Sequence, residues 1–339
     1  DESQAIKNPT SKVTKAACLL NAGNKLCLSG TPLQNNTFDI YAQMNFLNPG
    51  MLGSVEYFKH NFSMPIDKFD EKEQKEHLRK FVFPFILRRT KEQVAKDLPE
   101  KQEMVLYCEM GAAQRKIYEA YRNDYRDKLM GLVEEKGVQK AQLSILQGLM
   151  KLRQICDSPA IIKDESYPNE SVKLEELTRE IAENIGEHKA LVFSQFLGML
   201  GLIREALTKL GIDHEYFDGS STIQEREKAI ERFQNDPNCR VFLISLKAGG
   251  VGLNLTAADY VYIVDPWWNP AVEQQAIDRT HRIGQTKNIF AYRMICNDTV
   301  EDKILKLQDR KRSLAKELIS DEDGFIKSLT KDDINYLFS

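Results

Sequence analysis

Residues 241–254 read VFLISLKAGGVGLN, an apolar run from Val241 to Ser245 that passes directly into a glycine-rich turn. A short run of this kind bounded by turn residues fits a strand buried on both faces of a parallel sheet. The same alternation repeats outward from it. Ala190 to Phe193, His214 to Phe217, Tyr260 to Val264 and Ile289 to Ile295 are short β-branched or aromatic runs. Helical patterns lie between them at Leu197 to Leu210, Ile223 to Gln234 and Ala271 to Asp278. Strands alternating with helices predict βαβ units and an α/β fold, a parallel sheet with helices on both faces.

Upstream the character changes. The polar stretch KDESYPNES, Lys163 to Ser171, is the best linker candidate. Before it, Ile117, Tyr121, Tyr125, Leu129 and Leu132 recur every three or four residues and predict one face of a long helix. A second helix follows across Leu143, Leu146, Leu149, Met150 and Ile155, and Lys101 to Glu109 reads as extended. Phe38 to about Leu98 is helical in pattern, closed by the turn signal LPEK. At the start, Lys12 to Leu20 reads as a short helix and Lys25 to Ser29 as a buried strand ending in Ser-Gly-Thr-Pro. The last helix, Val300 to Ile319, is rich in Lys and Arg, and a short acidic tail follows it.

A chain of 339 residues suggests two compact domains. Its 42% apolar and 29% charged residues are those of an ordinary globular protein. Lys plus Arg number 47 against 50 Asp plus Glu, a net charge of -3, so global charge does not advertise a nucleic-acid binder. A basic cleft on an acidic body remains compatible with that balance. No apolar run approaches the roughly 18–20 residues of a membrane helix, and DESQAIKNPTSK lacks the layout of a signal peptide. The expected setting is intracellular, with no membrane partner. The six cysteines are scattered with no CxxC pair, which argues against a zinc site or a disulfide framework.

In open parallel sheets ligands bind beyond the carboxyl ends of the strands. The turn after Ser245 carries Gly250, Gly252 and Asn254, where the backbone could approach a phosphate; a plain tight connection is the simpler alternative. After Tyr260 to Val264 comes Asp265-Pro-Trp-Trp-Asn-Pro270, and two adjacent tryptophans in a turn cannot both enter one core. One could stack on a base or sit at a domain interface, or both belong to a packed loop. In EQQAIDRTHRIGQ, Gln275, Arg279 and Arg282 stand three or four apart, which predicts an amide and two guanidiniums along one helical edge. Such a pair could stabilise charge on a transferring phosphoryl group, although surface helices often carry Arg pairs. Asp1-Glu2 could supply a Mg²⁺ ligand and a water-orienting carboxylate, with Ser29, Gly30 and Thr31 ending the next strand.

Taken together, these segments resemble the Swi/Snf-type DNA-translocating ATPases of helicase superfamily two, nearly end to end and in order. DESQAIKN looks like that family's Walker B segment, LSGTPLQNN its third motif, ALVFSQF the fourth, SLKAGGVGLNLTAAD the fifth and QQAIDRTHRIGQ the sixth. FPFILRRTKEQVAKDLPEK resembles the run after the helical protrusion of the first lobe. The resemblance implies a motor of two RecA-like lobes using ATP and Mg²⁺ on double-stranded DNA, with a nucleosome or an RNA polymerase among the DNA-bound proteins it could displace. It implies residues 1–100 as a remnant of the first lobe with its protrusion, 101–170 as a linking strand and second protrusion, 171–298 as the second lobe, and 299–339 as a basic brace helix with an acidic tail. Asp1 would hold Mg²⁺, Glu2 would polarise water, and Ser29 and Thr31 would relay the nucleotide state. Arg279 and Arg282 would be arginine fingers supported by Gln275. Ser194, Gln195, Ser245 and Lys247 would face the DNA backbone, and Trp267 and Trp268 would couple the cleft to the track.

The sequence departs from the family pattern twice. None of its 18 glycines is followed by Lys, so the phosphate loop GxxxxGK[ST] is absent, and ATP affinity should be very weak. A chain opening on two carboxylates therefore looks like the C-terminal part of a longer motor. CDSPAII, with Asp157-Ser158 before Pro159 where many relatives have His, points to a bacterial member. A non-catalytic DNA- or protein-interaction module is the alternative from another class, and an RNA-directed helicase is a third. Arg279 and Arg282 argue against the former, DPWWNP and HRIGQ against the latter.

Overall fold

The computed structural model describes residues 1–29, 37–69, 71–89, 91–95, 97–162, 170–246, 248, 253–266, 270–314 and 329–339. Gly30, Thr31, Lys247, Gly250, Gly252, Trp267 and Trp268 lie outside these. The chain divides into two compact units, one covering Asp1–Lys96 and the other beginning at Asp97.

The first unit is helical. Tyr41, Phe58, Phe62, Leu78 and Val82 are buried together, with Phe38 packed against them. Phe38, Tyr41 and Phe58 pack edge-on or tilted with ring centroids 4.9–6.1 Å apart. Asp67 fixes this packing by accepting hydrogen bonds from the hydroxyls of Thr37 (2.8 Å) and Ser63 (2.9 Å). The expected strand Lys25–Ser29 is not one. The segment is irregular and half to three-quarters of Leu26 and Leu28 is exposed. A strand exists only through ladder partners, and among the described residues its sole backbone contact of this kind is Ser3 N–H to the Leu28 carbonyl, 2.9 Å.

The second unit is built on six parallel strands: β1 Lys101–Cys108, β2 Ala190–Ser194, β3 His214–Phe217, β4 Val241–Ser245, β5 Tyr260–Ile263 and β6 Ile289–Cys296. They lie in the order β1-β6-β5-β2-β4-β3. Every residue of β2 and β4 is buried, as a doubly covered parallel sheet requires. From β2 the chain passes outward to β3 and back to β4, then crosses to β5 on the other side of β2. That reversal puts the topological switch point at the carboxyl ends of β5, β2 and β4. Phe193, Phe233, Phe242, Ile244, Val261, Ile263 and Ile277 form the core beside it. The extended segment at Lys101 is the edge strand of this sheet, in register with β6 from Lys101↔Ile289 to Cys108↔Cys296.

Helices Ala112–Lys136 and Val138–Asp157 each bury one face, but in the first it is turned from the predicted one so that Gln114, Tyr118, Leu129 and Val133 are buried, and in the second Ala141, Ile145, Leu149, Leu152 and Ile155 are fully buried. The basic helix runs Val300–Leu314, and its expected extension to Ile319 lies outside the described residues. The closing acidic segment is a helix, Lys331–Phe338, begun by a capping box between Thr330 and Asp333. Its Ile334, Leu337 and Phe338 are fully buried. Phe338 fits because position 148 is glycine: a Cβ there would stand 3.2 Å from the Phe338 ring and 2.9 Å from Tyr125. Among the described residues no helix is long and apolar enough to cross a membrane.

Truncating this anchor tests the packing. Phe338→Ala should cost about 3–5 kcal/mol in chemical unfolding followed by circular dichroism. A loss below about 1 kcal/mol would show that the last helix is not docked.

Candidate functional site

At the switch point, Ser194 and Ser245 end β2 and β4 in direct register. The Leu246 N–H donates to the Ser194 carbonyl (2.9 Å) and the Val264 N–H to the Phe193 carbonyl (3.0 Å), so the three strand ends are tied together. Asp265 completes the tie by accepting the Gln195 N–H through Oδ2 at 2.9 Å. The Ser194 hydroxyl accepts the Phe196 N–H (3.0 Å), just ahead of the helix Leu197–Lys209. Ser194, Gln195 and Ser245, expected to face the DNA backbone, are all buried. The Gln195 carboxamide is the notable group. Both its atoms are shielded from solvent and make no hydrogen bond among the described residues. A buried amide in that condition is costly unless something supplies its partners.

Beneath the strand ends lies a buried ionic cluster that the sequence did not announce. The Lys173 Nζ, fully buried, donates to Asp157 Oδ1 (2.9 Å), Glu301 Oε1 (2.8 Å) and the Val264 carbonyl (2.7 Å). The two carboxylates hold its pKa well above the usual lysine range against the opposing effect of burial. Arg153, 1% exposed, donates to the Pro266 carbonyl and stands 5.8 Å from the Phe196 ring. Burial pushes the Asp265 carboxyl up to about 6, and the charge of Arg153 is the main force opposing that rise. A lone Arg in LMKLRQIC and a lone Lys in SVKLEEL carry no pattern by which their burial could be read.

The glutamine and arginines of the sixth motif are arranged differently from the expectation. The helix Pro270–Ile277 ends before Arg279, so Gln275, Arg279 and Arg282 do not share one helical edge. The Thr280 hydroxyl caps the Ile277 carbonyl (2.7 Å), and Gly284 takes a φ of 102° that favours glycine. Gln285 then draws in the carbonyls of Thr256 and Ala258 (both 3.0 Å), just ahead of β5, and His281 Nε2 bonds the Pro99 carbonyl (2.9 Å), just ahead of β1. The arginine turn therefore lies at the amino ends of the strands, opposite Ser194 and Ser245. Asn254 shares that end: its carbonyl accepts from Gln234 (2.9 Å) and its neighbour Leu255 donates to the Arg279 carbonyl (3.1 Å). Arg279 is buried and Arg282 half-buried, with Arg282 Nε on the Asp278 carbonyl at 3.2 Å.

One helix of eight residues, about 12 Å at 1.5 Å per residue, joins the two ends of the site. It is fixed to the sheet by Glu273, which accepts from Arg293 Nε at 2.7 Å while Arg293 also reaches Glu103 at 2.7 Å. These groups, with Arg153, Pro266 and Pro270, line a cavity of about 350 Å³.

In the first unit Asp1 and Glu2 are exposed, the Glu2 N–H donates to Asp1 Oδ1 (2.9 Å), and Ser29 is half-buried. Exposed carboxylates are chemically suited to Mg²⁺. A second candidate metal group, Cys156, Cys296 and Glu301 with ligand atoms within 4.8 Å of one another, suits a cation poorly. Lys173 occupies the glutamate, and burial holds the Cys296 thiol well above its usual range.

The parallel sheet with its switch-point loops is that of a helicase-type lobe. Residues 172–284 match the helicase conserved C-terminal domain and residues 1–161 the SNF2-related domain. A SWI2/SNF2 ATPase core of Sulfolobus solfataricus in complex with dsDNA is 36% identical, with a TM-score of 0.59, over 99% of this chain and 71% of that one. An uncharacterised ATP-dependent helicase of Mycoplasma genitalium is 39% identical over this whole chain and 32% of its own length. The TATA-binding protein-associated factor MOT1 of Saccharomyces cerevisiae is 32% identical over this whole chain and 21% of its own. The chain belongs to the SWI2/SNF2 family. It spans about a third of the length of the bacterial relative and a fifth of the yeast one.

The cluster yields two expectations. Lys173→Met leaves two carboxylates buried without their cation and should destabilise the second unit by about 3–5 kcal/mol in urea; a loss under about 1 kcal/mol would show the cluster to be hydrated and unimportant. Asp265 binds its proton more readily folded (about 6) than unfolded (roughly 3.9). Its contribution to stability is therefore full below the lower value, falls as pH rises through that window, and stays lost above it. Asp265→Asn should flatten the decline of the unfolding midpoint between about pH 4 and 6, and an unchanged pH profile would refute the assignment.

Proposed function

We propose that this chain supplies the second lobe, and part of the first, of an ATP-driven translocase on double-stranded DNA. Family membership supports the motor class, and the dsDNA bound to the Sulfolobus core supports the track. The observation that carries the reading is the two-ended site: buried polar strand ends at the switch point, an arginine turn at the opposite end, and a single helix between them.

In this reading the loops after β2 and β4, with Ser194, Gln195, Ser245 and Lys247, take the DNA backbone. Contacts to phosphate position a protein without reading sequence, as a motor that moves along any duplex requires. The unpartnered carboxamide of Gln195 finds its hydrogen bonds there. Arg282, the more accessible of the two arginines, faces the nucleotide, with Arg279 packed behind it and Gln275 on the preceding helix. Asp1 would hold Mg²⁺ and Glu2 would orient water. Bound ATP supplies a γ-phosphoryl group whose transfer develops charge that guanidiniums stabilise. The two tryptophans, between Pro266 and the helix Pro270–Ile277, stand in the sequence where a change at one end must pass to reach the other. Localisation follows the track: the bacterial nucleoid, or the nucleus in a eukaryote.

Without GxxxxGK the 339-residue chain should show no micromolar ATP affinity in calorimetry, and a clear micromolar isotherm would overturn that. In a motor that joins this chain to a GxxxxGK-bearing lobe, duplex DNA should stimulate ATP hydrolysis and RNA should not. Arg282→Ala should lower turnover roughly 10³-fold or more while duplex affinity is kept. Equal loss of both would assign Arg282 to DNA contact or folding, and a folded motor without turnover would favour a non-catalytic interaction module.

A further inference from the structure

We propose that the free edge of β1 is a docking surface for a second copy of this chain, the two β1 strands pairing antiparallel about Met104. The pairing calls on neither DNA nor nucleotide, so failure of the motor reading leaves it untouched.

β1 is an edge strand of eight residues with β6 on one side only. Successive residues of a strand turn their backbone groups to opposite sides. The Ile289 N–H donates to the Glu100 carbonyl (2.9 Å) and the Asn297 N–H to the Cys108 carbonyl (3.0 Å). Gln102, Met104 and Leu106 therefore face β6, and Lys101, Glu103, Val105 and Tyr107 turn their N–H and C=O groups away from it. Among the described residues no backbone hydrogen bond reaches these outward groups.

A row of open donors and acceptors pairs readily with another strand unless something blunts it. β1 contains no proline, and its register with β6 runs unbroken through all eight residues, which leaves no bulge. Its charges are engaged within the sheet. Lys101 Nζ bonds Glu103 Oε1 (2.7 Å), and Glu103 Oε2 takes Arg293 Nη2 (2.7 Å). The Lys101 and Glu103 side chains are 22% and 26% exposed, so neither stands out from the edge to repel a neighbour.

The outward set selects the occupant, because β1 laid antiparallel on a second β1 is complementary to itself. One antiparallel register pairs all four outward residues: Lys101 opposite Tyr107 of the second copy, Glu103 opposite Val105, and the reverse of each. Each such pair exchanges both of its backbone hydrogen bonds. Tyr107, 50% exposed, then offers its ring to the Lys101 ammonium of the second copy at both ends of the contact. On the other face Gln102 stands opposite Leu106, and Met104 meets Met104 across the two-fold axis. No like charges oppose each other in this register. A slip of the second strand by two residues toward the amino end sets Glu103 against Glu103, which destabilises, and leaves Tyr107 unpaired. The contact is isologous and closed, and it runs the two six-stranded sheets together.

Sedimentation velocity of the 339-residue chain should show a dimer whose share grows with concentration, and a chain that stays monomeric overturns the proposal. Val105→Pro removes an outward N–H that β6 does not use, a change an edge strand tolerates. It should leave a monomer with unchanged circular dichroism, and a folded variant that still dimerises would overturn the proposal. Should Val105→Pro fail to fold, cysteine cross-linking decides. Facing residues without hydrogen bonds between them stand about 4.5 Å apart at Cα, within reach of a disulfide. Oxidised Met104→Cys should give a covalent dimer on a non-reducing gel that neither the parent nor Gln102→Cys gives. No added cross-link at Met104→Cys, or an equal one at Gln102→Cys, would overturn it.

Discussion

The second unit depends on one ammonium group. Lys173 has no access to water, and an unpaired cation in that position would be expelled or neutralised. Asp157, Glu301 and the Val264 carbonyl keep it charged, and each arrives from a different element: helix Val138–Asp157, helix Val300–Leu314 and the end of β5. Removing any one leaves the others unbalanced, so the four elements have one mutual arrangement. Buried ion clusters contribute little net stability compared with apolar packing, yet are costly to break singly. Here that asymmetry makes three helices outside the sheet as fixed as the strands themselves.

The consequence for function is a site with two ends and a rigid link. The switch point gathers Ser194, Gln195, Ser245 and Asp265. The amino ends of the strands carry Arg279, Arg282 and Asn254, held by Gln285 and His281. The helix Pro270–Ile277 crosses between them, pinned midway through Glu273 and Arg293. A motor needs its grip on the track and its grip on the nucleotide to be distinct and to move together, and the function proposed above assigns one to each end.

Much of this was legible in the sequence because burial on both faces leaves a mark. The all-apolar β2 and β4 are read at a glance, and each turn that follows them announces a strand end. The order of the motifs along the chain carries the family. What was not legible depends on neighbours. Lys25 to Ser29 has the composition of a strand but no ladder beside it among the described residues. The spacing of Gln275, Arg279 and Arg282 suits a helix, yet the Thr280 cap and the pull of Gln285 on Thr256 and Ala258 end that helix at Ile277. Lys173, Arg153 and Glu301 are ordinary charged residues in their local contexts, and Asp157 stood out only as a departure from a family pattern. Only the fold brings them together.

The most direct test of the two-ended account is hydrogen exchange of a motor that joins this chain to a GxxxxGK-bearing lobe, with duplex DNA and nucleotide added separately. Duplex alone should slow exchange in the segments after β2 and β4, residues 195–197 and 246–253, and leave the turn 278–285 unchanged until nucleotide is present. Protection of 278–285 by duplex alone, with the strand ends unaffected, would contradict it.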